Sequence, residues 1–576
     1  PRSTLFPYTT LFRSGRAPAD ITVPTGDTYD LTGVVTSINS DKPITYKSSD
    51  EKVATVDANG VVTGIADGEA TITVSVAASE YYKEGTKDIK VAVKRPLTFE
   101  ALVDGTISVW FHGAVLEKPV VYTKNGGAKQ EITTDTSIDV VKGDKVEFES
   151  ANERLTSSDW NWGVQIHPHQ SAAVYGNVMS MITPDGNYHI NKTITKDFAL
   201  YGLLCGSYVW DDTAQKYIFN TVAHDKYKLL LPATTLTTAC YARMLQETGF
   251  TEAPELPATE LANYCYQNMF QECHNLTKAP ELKATKLTDG CYGSMFWYCS
   301  GLTEAPVLPA TTLAPWCYQN MFTSCSKLEK APALPATKLE NGCYSDMFAG
   351  CTSLKKAPAL PATTLADYCY NYMFGGCSAL TEAPELKAET LADNCYNSMF
   401  SGCSKLNKVV CLATTNATDA LGYWLNGAGT DASVTKRTLV RAESNKKWTN
   451  NDVWTWGTAN WYVPTGWTIE PEFFKSIVLV PGVWDLDNAR FAAYVWKSSP
   501  SSEEHWYLFS KENDKWTATI PSTYTGLVLV RLNNGTEVNW DSKWNQTSDI
   551  DFTNVADNST ISITGWGTDD YTITVP

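Results

Sequence analysis

Apolar and polar residues alternate with a period of two through the first part of the chain. In Glu69–Ala77, Ala70, Ile72, Val74 and Val76 fall on one side and polar residues on the other, the pattern of a half-buried strand. Asn59-Gly60, set between VATVDA and VVTGI, marks a hairpin turn, because glycine accepts the positive φ such turns require. The alternation continues over residues 97–228 in GTISVWFHG, VVYTKNGG and SIDVVKGDKVEFES, which read as antiparallel strands joined by glycine-containing turns. It returns after about residue 471. There SIVLV, RFAAYVW, WTATI and GLVLVRL are separated by Pro, Gly and Asn, the spacing of a β-sandwich of roughly 100 residues.

Between residues 229 and 470 the pattern is different. Sentences such as LPATTLAPWCYQNMFTSC recur, with first cysteines at Cys240, Cys265, Cys291, Cys317, Cys343, Cys369 and Cys395, spaced 25 once and 26 thereafter. A fixed period of this size predicts a solenoid, in which each unit buries its apolar face against the next. Cys369, Met373 and Cys377 recur at i, i+4 and i+8, and Tyr370 and Phe374 widen that stripe to roughly 140° at about 100° per residue, so a helix is expected. The residue pairs between them read as small or polar in every copy and are expected to face water. Pro384 excludes helix continuation and leaves a short extended segment. Each coil therefore reads as helix, turn, short strand, turn. TDALGYWLNGAG is a degenerate eighth unit suited to a terminal cap.

At 576 residues the chain exceeds one core, so several domains are expected. Its sequence contains no run of eighteen apolar residues, which excludes a membrane-spanning helix. The formal net charge of −17 argues against nucleic acid, since phosphate binding needs clustered Lys and Arg. Twelve of the 19 tryptophans lie between Trp448 and Trp566, and all 15 cysteines between Cys205 and Cys411. Thr4–Ser14, TLFPYTTLFRS, looks like a translated sequencing adapter, so residues 1–17 are expected to be an adapter-derived artefact or disordered, and the lack of a secretory signal carries no weight.

Three stretches resemble known families. YKSSDEKVATVDANGVVTGIADGEATITV resembles the bacterial Ig-like group 2 domain, which implies a spacer or stalk module. The repeat core Phe374, Cys377 and Leu380 resembles the BspA-like leucine-rich repeats of Bacteroidetes surface proteins, with YGNVMSMI and KLLLPATTL resembling the segment that leads into such repeats. It departs from the common form in period, in its second cysteine and in its Ala-Pro strand, so no partner is carried over. VPGVWDLDNARFAAYVW and NWDSKWNQTSD resemble small modules of bacterial polysaccharide-degrading enzymes, and among named groups the starch-binding modules of families 25 and 26. The expected fold class is thus multidomain and mainly β with a repeat solenoid. Its parts are an Ig-like domain (18–96), a β-rich segment (97–228), an α/β leucine-rich-repeat solenoid of about seven 26-residue units with a cap (229–470), and a carbohydrate-binding β-sandwich (471–576).

The cysteines allow two arrangements. Each is a small buried hydrophobe stacked on its counterpart, or the first cysteine of one unit pairs with the second of the next, as in Cys265–Cys299 and Cys291–Cys325. Pairing within a unit fails on a continuous helix, where residues eight apart are about 12 Å apart. The first unit carries Thr248 at the second position. His167-Pro168-His169 resembles half a metal site but lacks further ligands and reads as a surface loop. Asp485 and Asp487, two apart before a strand, read as turn or ion-binding groups, not as a hydrolytic pair. No nucleophile elbow, phosphate loop or zinc-helix motif is present, so no catalytic residue, metal or cofactor is expected.

Binding chemistry is expected in the last module. Along RFAAYVW, Phe491, Ala493 and Val495 face one side and Ala492, Tyr494 and Trp496 the other. Flat aromatic rings stack on the C–H faces of pyranoses while amides and charges bond the hydroxyls. Tyr494, Trp496, Trp506, Trp540, Lys543, Trp544 and Gln546 are the candidate carbohydrate-binding residues, with Asn545 and Tyr507 nearby; Trp484 and Trp516 are assigned to core or edge packing. The expected protein is extracellular or surface-bound and non-enzymatic, and it binds a polysaccharide, α-glucan foremost. Two alternatives stand: an adhesin whose solenoid binds a host or bacterial protein, and the accessory part of a longer glycoside hydrolase. The exposed repeat positions show no aromatic hot spot of the kind protein-binding faces carry.

Overall fold

In the computed structural model the described residues are 20–575, apart from 33–41, 79–83, 157–161, 443, 451–454, 472–473, 498–503, 513–514 and 535–536. Among them the only helical segments are short 3-10 turns, and no helix is long and apolar enough to cross a membrane. The adapter-like stretch lies outside the described residues. The chain divides into two compact units, residues 1–437 with 449–467, and residues 438–448 with 468–576.

The first unit opens with a small β-sandwich. Strands Asp20–Val23, Gly85–Val93, Gly68–Val76 and Ile44–Ser48 form one sheet, and Thr28–Asp30, Val61–Gly64 and Ala54–Val56 the other. The alternation along Gly68–Val76 is realised as read, with Ala70, Ile72, Val74 and Val76 buried. The expected hairpin turn is present: Asp57 accepts from the amides of Asn59 and Val61, and Gly60 takes a φ of +82°. The β-rich segment follows as two larger sheets, one with Leu97–Ala101 between Lys145–Ser150 and Ala172–Asn177, the other with Gly105–Trp110 between Thr136–Val140 and Gln165–Pro168, and a hairpin of Tyr208–Asp211 with Lys216–Phe219. His167 is therefore in a strand and not a loop. It is buried and stacked on Trp110 at 4.9 Å, while His169 bonds Ser108 at 2.9 Å.

The repeats form a solenoid without the expected helices. Each coil is a ribbon of consecutive four-residue turns. In the second coil the amides of Cys265, Met269 and Cys273 donate three residues back, to Ala262, Tyr266 and Phe270. Tyr264, Asn268 and Glu272 take φ of 56 to 59°, the positive value a type II turn requires at its third position. The intervening amides of Tyr266, Asn268, Phe270 and Glu272 donate instead to carbonyls of the next coil. An α-helix would spend all of these amides on its own carbonyls four residues back. The turn ribbon uses half of them to tie coil to coil. The expected short strand is reduced to isolated parallel bridges, such as Glu304 with Lys330 and Lys356 with Glu382.

Because each coil lies in register on the next, like side chains one repeat apart align into columns. Tyr241, Tyr266, Tyr292, Tyr318, Tyr344, Tyr370 and Tyr396 stack with centroids 5.8 to 6.1 Å apart and planes within 14°. Phe270 through Phe400 stack at 5.7 to 5.8 Å. Offset stacking of this kind contributes about 0.5–1.5 kcal/mol per pair beyond burial. The pairs between these columns do not all face water: Asn268, Ser345 and Asn397 are buried. The ribbon also starts a coil earlier than the cysteines indicate, at Phe198–Gly206, whose amides donate to the coil carrying Cys240. The degenerate unit closes the stack. Its Trp424 is fully buried and donates its indole N–H to the carbonyl of Tyr462.

All fifteen cysteines are buried free thiols. The first and second positions run as separate columns, each thiol neighbouring its counterparts. The second thiol bonds a carbonyl of the preceding coil, Cys299 to Phe270 at 3.0 Å and Cys325 to Phe296 at 3.2 Å. Thr248 replaces it in the first unit, where its hydroxyl donates to Leu245 at 2.9 Å. Burial pushes these thiols up, to about 12 for Cys240, Cys273, Cys291, Cys343, Cys377 and Cys411.

The second unit contains a β-sandwich. Its strands are β1 (Phe474–Val480), β2 (Arg490–Trp496), β3 (Glu504–Leu508), β4 (Ser510–Glu512), β5 (Lys515–Pro521), β6 (Gly526–Leu532), β7 (Lys543–Gln546), β8 (Ile550–Asp551), β9 (Ser559–Ile563) and β10 (Tyr571–Thr574). One sheet has the order β4-β5-β1-β9-β10 and the other β3-β2-β6-β7, with β8 beside β6. Ile477, Trp484, Phe491, Ala493, Val495, Leu527 and Leu529 are among the residues that fill the space between them.

Candidate functional site

Strand β2 positions the site. Its period-two alternation sends Phe491, Ala493 and Val495 into the sandwich core and leaves Ala492, Tyr494 and Trp496 on the outer face. Beneath the aromatic rings Ala492, Val528, Val530 and Leu532 form a second buried apolar layer. Across the strands Tyr494 stands opposite Trp506 on β3 and Val528 on β6, while Trp496 stands opposite Glu504 and Gly526. Gly526 is needed there for close approach, because an added Cβ would overlap the Trp496 indole. The ring thus lies flat against the β6 backbone.

Trp540 reaches the same face by a local device. The Asn539 side chain accepts from the Ser542 amide at 3.0 Å, capping the 3-10 turn Trp540–Ser542 that leads into β7. Tyr494, Trp506 and Trp540 then meet with centroids 4.6, 4.8 and 4.9 Å apart, inclined at 55 to 66°. Trp496 lies 6.1 Å from Tyr494. The Lys543 ammonium sits 5.2 Å over the Trp540 ring and donates to Gln546 Oε1 at 2.6 Å. Burial and the neighbouring Glu504 carboxylate raise the Tyr494 hydroxyl to about 12, so it stays protonated at neutral pH.

Six of the seven candidate residues are therefore brought together on one face: Tyr494, Trp496, Trp506, Trp540, Lys543 and Gln546. Trp544 is separated from them. A register shift between Arg531 and Leu532 accompanies β7, and Trp544 lies over the Arg531 guanidinium at 4.4 Å, with Trp566 at 5.7 Å. Arg531 is buried and donates to the carbonyls of Trp484 and Leu486, each at 2.8 Å. Asn545 sits opposite Arg531 and bonds the Trp566 carbonyl at 3.1 Å. Tyr507 packs against the sandwich core and does not extend the floor. Trp484 is fully buried and Trp516 is half-buried edge-on to Phe491, matching their assignment to packing.

Asp485 and Asp487 diverge, the first to Lys511 at 3.7 Å and the second to Arg531 at 3.2 Å, so both are engaged in ion pairs. Glu504 was not foreseen as part of the face. The signal was its spacing: Glu504 lies two residues before Trp506, and a period of two puts both on one side of a strand.

The stacked turn ribbon and the paired β-sheets make the chain modular. One module has a family: residues 17–86 match the bacterial Ig-like domain (group 2), in agreement with the two small sheets described above. No curated protein matches the chain.

Proposed function

We propose that the chain is a non-catalytic, extracellular or cell-surface protein that binds a neutral polysaccharide, α-glucan foremost, through the outer face of its C-terminal β-sandwich. The observation that supports this is the convergence of Tyr494, Trp506 and Trp540 on one half-exposed apolar layer, with Lys543 and Gln546 at its edge. Rings inclined at 55 to 66° present an angled surface, which suits a curved glucan chain better than a flat one. The amide of Gln546 and the ammonium of Lys543 supply the few polar groups that orient a bound sugar. In this reading the Ig-like domain is a spacer, and the solenoid is a BspA-like display scaffold without helices.

Affinity gels test the proposal. The full chain should be retarded by soluble starch or pullulan more than by dextran or xylan, and Trp540→Ala or Trp496→Ala should weaken the starch shift markedly. A folded wild-type chain retarded by none of the four refutes it.

A further inference from the structure

Two coils of the solenoid share one sentence: Tyr264–Phe270 reads YCYQNMF and Trp316–Phe322 reads WCYQNMF. The coil between them, Gly290–Phe296, reads GCYGSMF. Glycine thus stands at both places where the neighbouring coils carry a ring and an amide. A cleft of about 240 Å³ opens at that point, lined by Tyr264, Gln267, Gly290, Trp316 and Gln319. The Tyr264 ring rests against Gly290, which has a φ of +55° and where any Cβ would overlap it. Trp316 rests in the same way on Gly342 and forms the far wall.

Both walls are braced from outside. Tyr264 packs with Trp162 against Phe198, Tyr201, Ala239 and Ala242, and Trp316 meets Tyr368 at 6.3 Å. Such bracing holds the rings in place before any ligand arrives, which lowers the entropic cost of binding. No charged side chain lines the cleft. Its polar groups are two glutamine amides, and an amide both donates and accepts hydrogen bonds, as a sugar hydroxyl does. Two aromatic walls match a ring with two apolar C–H faces. The volume falls below the roughly 300 Å³ at which pockets for larger ligands begin, so it accommodates one ring. We infer that this cleft binds a pyranose unit of a neutral polysaccharide, as a second glycan contact independent of the β-sandwich face.

The repeats hide this feature in the sequence. Tyr264, Trp316 and Tyr368 recur only every 52 residues and alternate with Gly290 and Gly342, so no single unit displays a hot spot.

The test uses the full chain carrying Trp506→Ala and Trp540→Ala, which removes the sandwich face from the measurement. Starch, dextran, mannan and xylan are the probes in affinity gels, with near-UV circular dichroism as the check on folding. At least one glycan should still retard this chain. Adding Trp316→Ala, or Gly293→Gln to fill the floor with the residue both neighbouring coils carry, should weaken that retention about tenfold or more. Retention by no probe, or retention that neither substitution changes, overturns the inference. Binding of a proline decamer that both substitutions abolish, with no glycan retained, assigns the cleft to peptide and overturns it as well.

Discussion

Raising the pH of the reduced protein should unfold the repeats in a narrow window above about pH 9, and the thiol columns set its size. Six buried thiols, at Cys240, Cys273, Cys291, Cys343, Cys377 and Cys411, are held at about 12 against an ordinary value of 9. Below pH 9 both folded and unfolded chains keep these protons, and the stability is fully present. Between 9 and 12 the unfolded chain has released them while the folded chain retains them, so stability falls as pH rises. One unit above the unfolded value, near pH 10, each thiol costs about 1.4 kcal/mol, a figure that depends on the unfolded chain alone. These six alone cost about 8 kcal/mol together, comparable with the 5–15 kcal/mol that holds a typical domain folded, and the other nine thiols, which burial also raises, add to it. The assay follows thiolate absorbance beside the near-UV circular dichroism of the tyrosine stack. The two signals should change together. Thiolates that appear gradually around pH 9 while the tyrosine signal stays intact would refute the reasoning. So would denaturing alkylation of the unreduced protein that finds fewer than fifteen free thiols.

Three further outcomes concern packing. Phe322 is fully buried between Phe296 and Phe348, each 5.7 Å away, so Phe322→Ala should cost about 3–5 kcal/mol in denaturant unfolding of the repeat signal. Val307→Ala, at a position 80% exposed, should stay within about 0.5 kcal/mol. Trp544→Ala should lower the stability of the sandwich by about 0.5–2 kcal/mol through loss of its contact with Arg531, yet leave glycan retention unchanged.

Strands were legible wherever one face is buried. The alternation in Glu69–Ala77 and in RFAAYVW assigned each side chain to its face, because a period of two admits no other regular structure. The coils were misread for a physical reason. Cys, Met and Cys at i, i+4 and i+8 fit a helical stripe, since four residues advance a helix by only about 40° beyond a full turn. A ribbon of four-residue turns gives the same spacing without any drift. Propensity pointed the other way: CYNYMFGGC is rich in Cys, Tyr, Asn and Gly, all poor helix formers. The coil at Phe198–Gly206 was illegible because it carries no cysteine pair and an inserted hairpin separates it from the next. In the candidate site, residues on β2 could be placed from alternation alone; on β3 the same rule separates Trp506 from Tyr507, which the expected floor had joined. Trp544 could not be placed, because the register shift beside Arg531 breaks the alternation on which that placement rests.

The amides that tie one coil to the next have a mechanical consequence. They run between successive coils, so a force pulling the two ends of the stack apart loads the junctions in series and not in parallel. Only one junction has to fail at a time. A terminal coil would peel away as a unit, releasing 26 residues, or roughly 85 Å of chain, while the coils behind it keep their own bonds. An anchored chain built this way would absorb a sudden tug by lengthening in steps and would rewind when the tension eased.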